Sequence, residues 1–322
     1  MLQASVVIFA ALGYIGLLFA VASFGDRKRP AAQRRAPRPL IYSLSLAVYC
    51  TSWTFFGSVG LATTQGFDFL TIYLGPIILM TVGAPAFLRV VTLAKANNIT
   101  SVADFIAARY GKDQGIAALV AVVAIIASVP YISLQLKAVS ASLLVLLGHL
   151  AGNSTAGFNV MGDLSLFVAF TMAAFAALFG TRHADATEHQ DGLMLAIATE
   201  SLVKLAAFLA VGLFVSFLLF SGPAGLWDAA QANGATMPFA RGLSLENWIT
   251  MTVLSAGAFV LLPRQFHVAV VENKGVEEIR RARWLFPLYL ILINLFVGPL
   301  ALAGMTLFPG GTVDSDVYVL AV

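Results

Sequence analysis

Tyr49, Cys50, Thr51, Ser52 and Trp53 lie in the middle of an apolar run, Leu40 to Leu61, that also carries Ser43, Ser45, Thr54, Gly57, Ser58 and Gly60. A helix meeting only lipid is better built from leucine. Small hydroxylated residues let a second helix come close, and glycines let a helix open so that its carbonyls turn toward a cavity. In hydrocarbon such opened backbone persists only where the freed groups face protein, water or a bound ion. The run therefore reads as the core helix of a transporter, while tight helix packing accounts for the same composition.

Other chemistry-bearing residues are few. Glu200 and Lys204 stand one turn apart near the middle of an apolar stretch, where each alone would cost a few kcal/mol. The i,i+4 spacing lets them neutralise each other, either as a structural pair or as charges in a solute or ion path. Lys137 falls roughly 33 Å from the start of its helix, where its ammonium reaches the far interface by snorkelling or lines a vestibule with Ser133 and Gln135. His183, Asp185, Glu188 and His189 crowd one loop without the spacing of a known zinc site, so no metal centre other than a coupling ion is expected. His149 and His267 are isolated. No phosphate-binding loop, dinucleotide fingerprint or nucleophile elbow occurs, and neither an enzyme nor an organic cofactor is expected of this chain.

The elements that must position these residues are membrane spans. Of 322 residues 59% are hydrophobic and only 11% charged, against about 25% charged in soluble domains. The expected fold is an all-α polytopic membrane protein with eight spans, near 4–24, 40–62, 69–92, 115–149, 164–180, 190–221, 245–262 and 284–308. The single cysteine excludes an intrachain disulfide. The first span has no basic residue before it and a basic cluster after it, which marks a retained helix with its N-terminus outside. Alternating loops then place sixteen Lys and Arg on the inner side and only Arg241 on the outer.

Two inner connectors read as short helices. Ser101-Val-Ala-Asp104 is a capping pattern, and Val276 to Trp284 sets Glu277 four residues before Arg281. Both lie at the bilayer surface, and no nucleic-acid partner is indicated. The fourth span is too long for a bilayer, and Pro130 is expected to kink it. Asn153-Ser154-Thr155 forms a sequon, a weak signal here. The seventh span echoes the second, being short and polar in its middle at Ser255 and Gly257. Such a pair points to an inverted-repeat transporter with a site at the midplane.

The stretches YCTSWTFFGSVGLATTQGFDF, NNITSVADFIAARYGK, VPYISLQLKAVS and DATEHQDGLML resemble the sodium/solute symporter family, particularly its branch fused to sensor histidine kinases. The resemblance implies a five-plus-five inverted-repeat core. Residues 1–39 would be an extra helix with its basic linker, 40–221 the first repeat, and 222–322 the start of the second. It implies sodium held by the backbone carbonyls of Ala47 and Cys50. The solute, a small organic molecule such as an amino acid, would lie against Tyr49, Thr51, Ser52, Trp53 and Gly57, and against Ser255 and Gly257. Many family members carry an acidic residue where Tyr49 stands, and the sodium's hydroxyl ligands would come from a helix beyond Val322. The chain is thus expected to be the N-terminal portion of a longer protein of the bacterial inner membrane. The alternative implied role is the sensory input of a histidine kinase acting through a response regulator.

Overall fold

The protein was analysed as a computed structural model that describes residues 4–26, 38–151, 191–309 and 313–322, with 166, 169, 170 and 173. Most of the fifth expected span, the sequon and the loop holding His183 and His189 lie outside the described residues. The described residues are helical, with no strand among them.

Helix α1 (Ala4–Asp26) packs against α9 (Asp191–Leu213), where Gly25 and Gly192 meet so closely that a Cβ on Gly25 would strike the facing backbone. The second expected span is not one helix. It consists of α2 (Arg38–Ser45), a 3₁₀ turn over Leu46–Tyr49, α3 (Ser52–Phe55) and α4 (Gly57–Gln65). After a 3₁₀ segment come α5 (Thr71–Thr81) and α6 (Ala84–Ala96), then α7 (Val102–Arg109) and the long α8 (Gln114–Ala151). Beyond α9 the chain runs through α10 (Pro223–Ala232), α11 (Leu245–Leu261), α12 (Pro263–Phe266), α13 (Val276–Asn294), α14 (Val297–Leu307) and α15 (Tyr318–Ala321).

Three helices among the described residues are long and apolar enough to cross a membrane, and five if each sharply bent pair is one crossing. The bent pairs are Gly57–Thr81 with Ala84–Ala96, at 74°, and Leu245–Leu261 with Pro263–Val271, at 60°. The expected third span is thus two helices, broken at Val82-Gly83 just ahead of a proline at the second position of α6. Pro130 lies inside α8, which is one continuous helix. The outward face of α8, with Val123, Ile126 and Ile132, is uncovered, as suits a helix bathed in hydrocarbon.

The core lies where α2, α5, α11 and α13 pack together, filled by Tyr42, Leu46, Phe259, Phe286, Leu290 and Ile293. Gly75 lets α5 press against α11 at Ser255, closer than any side chain at that position would permit. The N-cap half of the capping pattern forms, Asp104 N donating to Ser101 Oγ at 3.1 Å, while the Asp104 carboxylate accepts from the Thr100 hydroxyl. Glu277, in contrast, pairs with Arg280 at 2.8 Å, one residue short of the expected Arg281. The neighbours i+3 and i+4 are equally near on a helix surface, so spacing alone leaves that choice open.

Candidate functional site

The interruption of the second span falls at Cys50 (φ −82°, ψ 103°) and Thr51 (φ −103°, ψ −170°), both extended. Its hydrogen bonds show what was given up. In an unbroken helix Cys50 N would reach back to Leu46 O; here it donates to Ala47 O at 2.9 Å. Leu46 O is taken up instead by Gln265 Nε2, at 3.2 Å. Among the described residues no donor is found on the Cys50 carbonyl.

Gln265 belongs to α12, which follows a second interruption. Leu262 is extended (φ −64°, ψ 124°) between α11 and α12. The cause is legible in the residues: Pro263 disfavours a helical Leu262 and then serves well at the first position of α12. Gln265 is fully buried, and its Oε1 has no hydrogen-bond partner among the described residues. Tyr42 Oη donates to Ala269 O at 2.6 Å, a second link between the chain leading into the first break and the chain leaving the other. The two broken helices therefore meet at their breaks.

Glycine does not mark the opening of the second span. Gly57 follows a kink at Phe56, and its bare Cα lies against the Trp53 indole. Gly60 lies directly under the Asp316 carboxylate. Both glycines admit a close neighbour, and the extended pair is Cys50-Thr51.

The expected solute residues divide into two groups. Trp53 and Gly57 line a cavity of about 300 Å³ together with Phe56, Gly60, Lys137 and Asp316. Ser52 stands beside it on α3, its hydroxyl donating to Gln135 Oε1 on α8. Tyr49 points the other way: its hydroxyl donates to Ile72 O at 2.8 Å and its ring packs on Tyr73 and Phe259. Ser255 donates to Thr71 O at 2.8 Å, within the contact between α5 and α11. Gly257, with open space where a Cβ would stand, does not line the cavity either. Thr51 is half-buried at the break, and Cys50 is wholly buried. Ala47 is buried, its carbonyl engaged by Cys50 N.

Glu200 and Lys204 form the expected ion pair, 2.5 Å apart and roughly one-third exposed. Lys137 Nζ faces Asp316 Oδ2 at 3.9 Å, a partner the spacing could not reveal because 179 residues separate the two. Burial and the neighbouring Asp314 hold the Asp316 carboxyl above the ordinary aspartate range, partly opposed by Lys137. A larger cavity of about 420 Å³, lined by Asp68, Phe239 and Arg241, lies among connecting segments away from both breaks.

At the opposite end of α2 from the break, Arg38 ties three elements together. It donates to Asp191 on α9, to Glu278 Oε1 on α13 at 2.9 Å, and to Glu272 O at 3.2 Å. Lys274 Nζ joins Asp191 at 3.0 Å, and Lys95 donates to Asn273 O. Glu278 Oε2 accepts from Lys274 N at 2.7 Å. Sequence reasoning counted these charges as a topology signal and missed that they interlock. No group of His, Cys, Asp and Glu suited to a metal occurs among the described residues. No protein-family model, curated protein or solved structure matches the chain.

Proposed function

We propose that the chain is the membrane module of a sodium-coupled transporter of the symporter type for a small organic solute such as an amino acid, working in the bacterial inner membrane. One observation carries the reading: two apolar helices are interrupted, at Cys50-Thr51 and at Leu262, and a buried glutamine joins them. Backbone opened inside an apolar protein is costly unless something polar uses it. The carbonyl ends of α2 with its 3₁₀ turn and of α11 both terminate at the breaks, and helix C-termini attract cations. Sodium bound there takes the Cys50 carbonyl and the second lone pair of Ala47 O. The solute lies next to it, against Trp53 and Gly57. The inverted repeat and the eight-span topology belong to the same proposal, supported by the one-sided distribution of Lys and Arg.

The test is uptake of a radiolabelled amino-acid mixture by proteoliposomes holding the full-length protein, with an imposed sodium gradient or with choline in its place. The proposal expects uptake at least tenfold faster with sodium. Equal rates in the two media contradict it. Trp53→Ala, which strips the cavity wall, and Gly57→Leu, which drives a side chain into the indole, are each expected to lower uptake tenfold or more. Membrane insertion of both variants, followed by protease protection, should match the parent.

A further inference from the structure

The cavity beside Trp53 carries more chemical information than an apolar cleft would. On one wall, α8 presents Lys137; on the other, the segment after α14 presents Asp316. Their charged atoms stand 3.9 Å apart, too far for a direct hydrogen bond and close enough to share one small guest. Lys137 has about two-thirds of its side-chain surface open and Asp316 about two-fifths, so neither is sealed in by the other. Between them the wall is mainly aromatic and aliphatic, with Trp53, Phe56, Leu61 and Leu134, and Thr64 and Asp314 add polar groups to it.

Asp314 also lines the cavity, but part of its carboxylate is already engaged. Its carboxylate accepts Asp316 N at 3.1 Å and caps the 3₁₀ turn over Ser315–Val317, holding the segment in shape. The Asp316 carboxylate is aimed across α4 because Gly60 has no Cβ to obstruct it. The volume, about 300 Å³, lies at the small end of the roughly 300–1,000 Å³ range of ligand pockets.

We infer that this cavity is a subsite for a small zwitterion of the α-amino-acid type, Lys137 taking its carboxylate, Asp316 its ammonium, and Trp53 with Phe56 its apolar part. A zwitterion is the guest that contacts Lys137 and Asp316 at once, whereas a lone cation or anion contacts only one of them. The four-carbon stem of Lys137 lets the pair part as the guest enters. The inference rests on the transport reading and narrows its solute to molecules bearing both charges.

The site also acquires a pH dependence. Asp314 and Lys137 are the titratable groups facing Asp316, with Tyr318 the next ring along its own segment. Helices α4 and α14, packed beside it, contribute no charge. Because the Asp316 carboxyl takes up a proton at a higher pH than an ordinary aspartate, acidification removes the ammonium's partner early. Zwitterion affinity is therefore expected to fall on going from pH 7 toward pH 4, and Asp316→Asn should flatten that profile.

The direct experiment is a thermal-shift titration of the chain in detergent with each common L-amino acid. The amino acid giving the largest shift is then compared with its carboxamide and with its deaminated acid. The expected result is a saturable shift for at least one amino acid, with both analogues binding at least tenfold more weakly. Lys137→Gln should erase the preference for the amino acid over its carboxamide, Asp316→Asn the preference over the deaminated acid, and Lys137→Arg should restore the first. Gly60→Ala, by displacing the Asp316 carboxylate, should reproduce Asp316→Asn. Equal binding of the amino acid and its carboxamide would overturn the assignment, as would a panel in which no amino acid binds. Either failure leaves the transport reading standing if sodium still drives uptake of another solute class, and removes it with the subsite if no solute is driven.

Discussion

Leucine in place of Gln265 is expected to lower the stability of the chain by about 1–3 kcal/mol and to abolish any effect of sodium on it. The first figure is that of a buried polar group stripped of its partner. Leu46 O lost its helical donor when Cys50 N turned to Ala47 O, and Gln265 Nε2 is what reaches it now. Leucine fills much of the same volume and offers no donor, so the variant isolates the hydrogen bond from the packing. The sodium effect disappears because the bond at the break itself is gone, leaving Tyr42 Oη on Ala269 O, a turn or more away, to join the two segments. Gln265→Glu separates the two consequences. An ionised carboxylate cannot donate to Leu46 O, so the stability loss should persist, whereas its negative charge should strengthen the response to sodium. Chemical denaturation with and without sodium reads both. A leucine variant as stable and as sodium-responsive as the parent would show that the glutamine has no part in joining the breaks.

Glutamine in place of Arg38 should have the next largest effect, a loss of about 3 kcal/mol together with loosening of the face where α2, α9 and α13 begin. Removing one partner of a buried ion pair costs roughly 3–5 kcal/mol, and Arg38, with one-fifth of its side chain exposed, belongs at the lower end of that range. Glu278 is the partner that matters, since its side chain is only 6% exposed. Asp191 is 40% exposed, and Asp191→Asn should cost well under half as much because water screens that arm of the pair. Arg38→Lys retains the charge but not the three-way geometry, and should recover only part of the loss. Unfolding midpoints of the three variants rank these contributions. Equal losses for Arg38→Gln and Asp191→Asn would mean that the Glu278 arm contributes nothing.

Composition and the periodic apolar runs were enough to read an all-helical chain with apolar helices able to cross a membrane. The polar middle of Leu40–Leu61 also marked the segment that opens, though not the mechanism. The opening falls on Cys50-Thr51, where neither Gly nor Pro forces it, while Gly57 and Gly60 receive the Trp53 ring and the Asp316 carboxylate. A break without a breaker residue depends on partners far along the chain, here Gln265, and one sequence does not announce them. The second break was different. Pro263 marks it in the sequence, whereas Ser255 and Gly257 lie within α11, where Ser255 bonds Thr71 in a helix contact. The depth of Lys137 along its helix is legible in the sequence; its pairing with Asp316, 179 residues away, is not. The interlocked charges around Arg38 show the same limit, since hydropathy reads where charges lie and not which of them touch.

Cys50 offers the most direct measurement, because it is the only cysteine, it is fully buried, and it lies in the break itself. The rate at which a small methanethiosulfonate reagent modifies it reports how often the opened backbone is exposed. The account predicts slow modification that sodium slows at least threefold further, while equimolar potassium or choline leaves the rate unchanged. A rate that is the same in sodium, potassium and choline would contradict the claim that the interrupted helix presents its carbonyls to a cation.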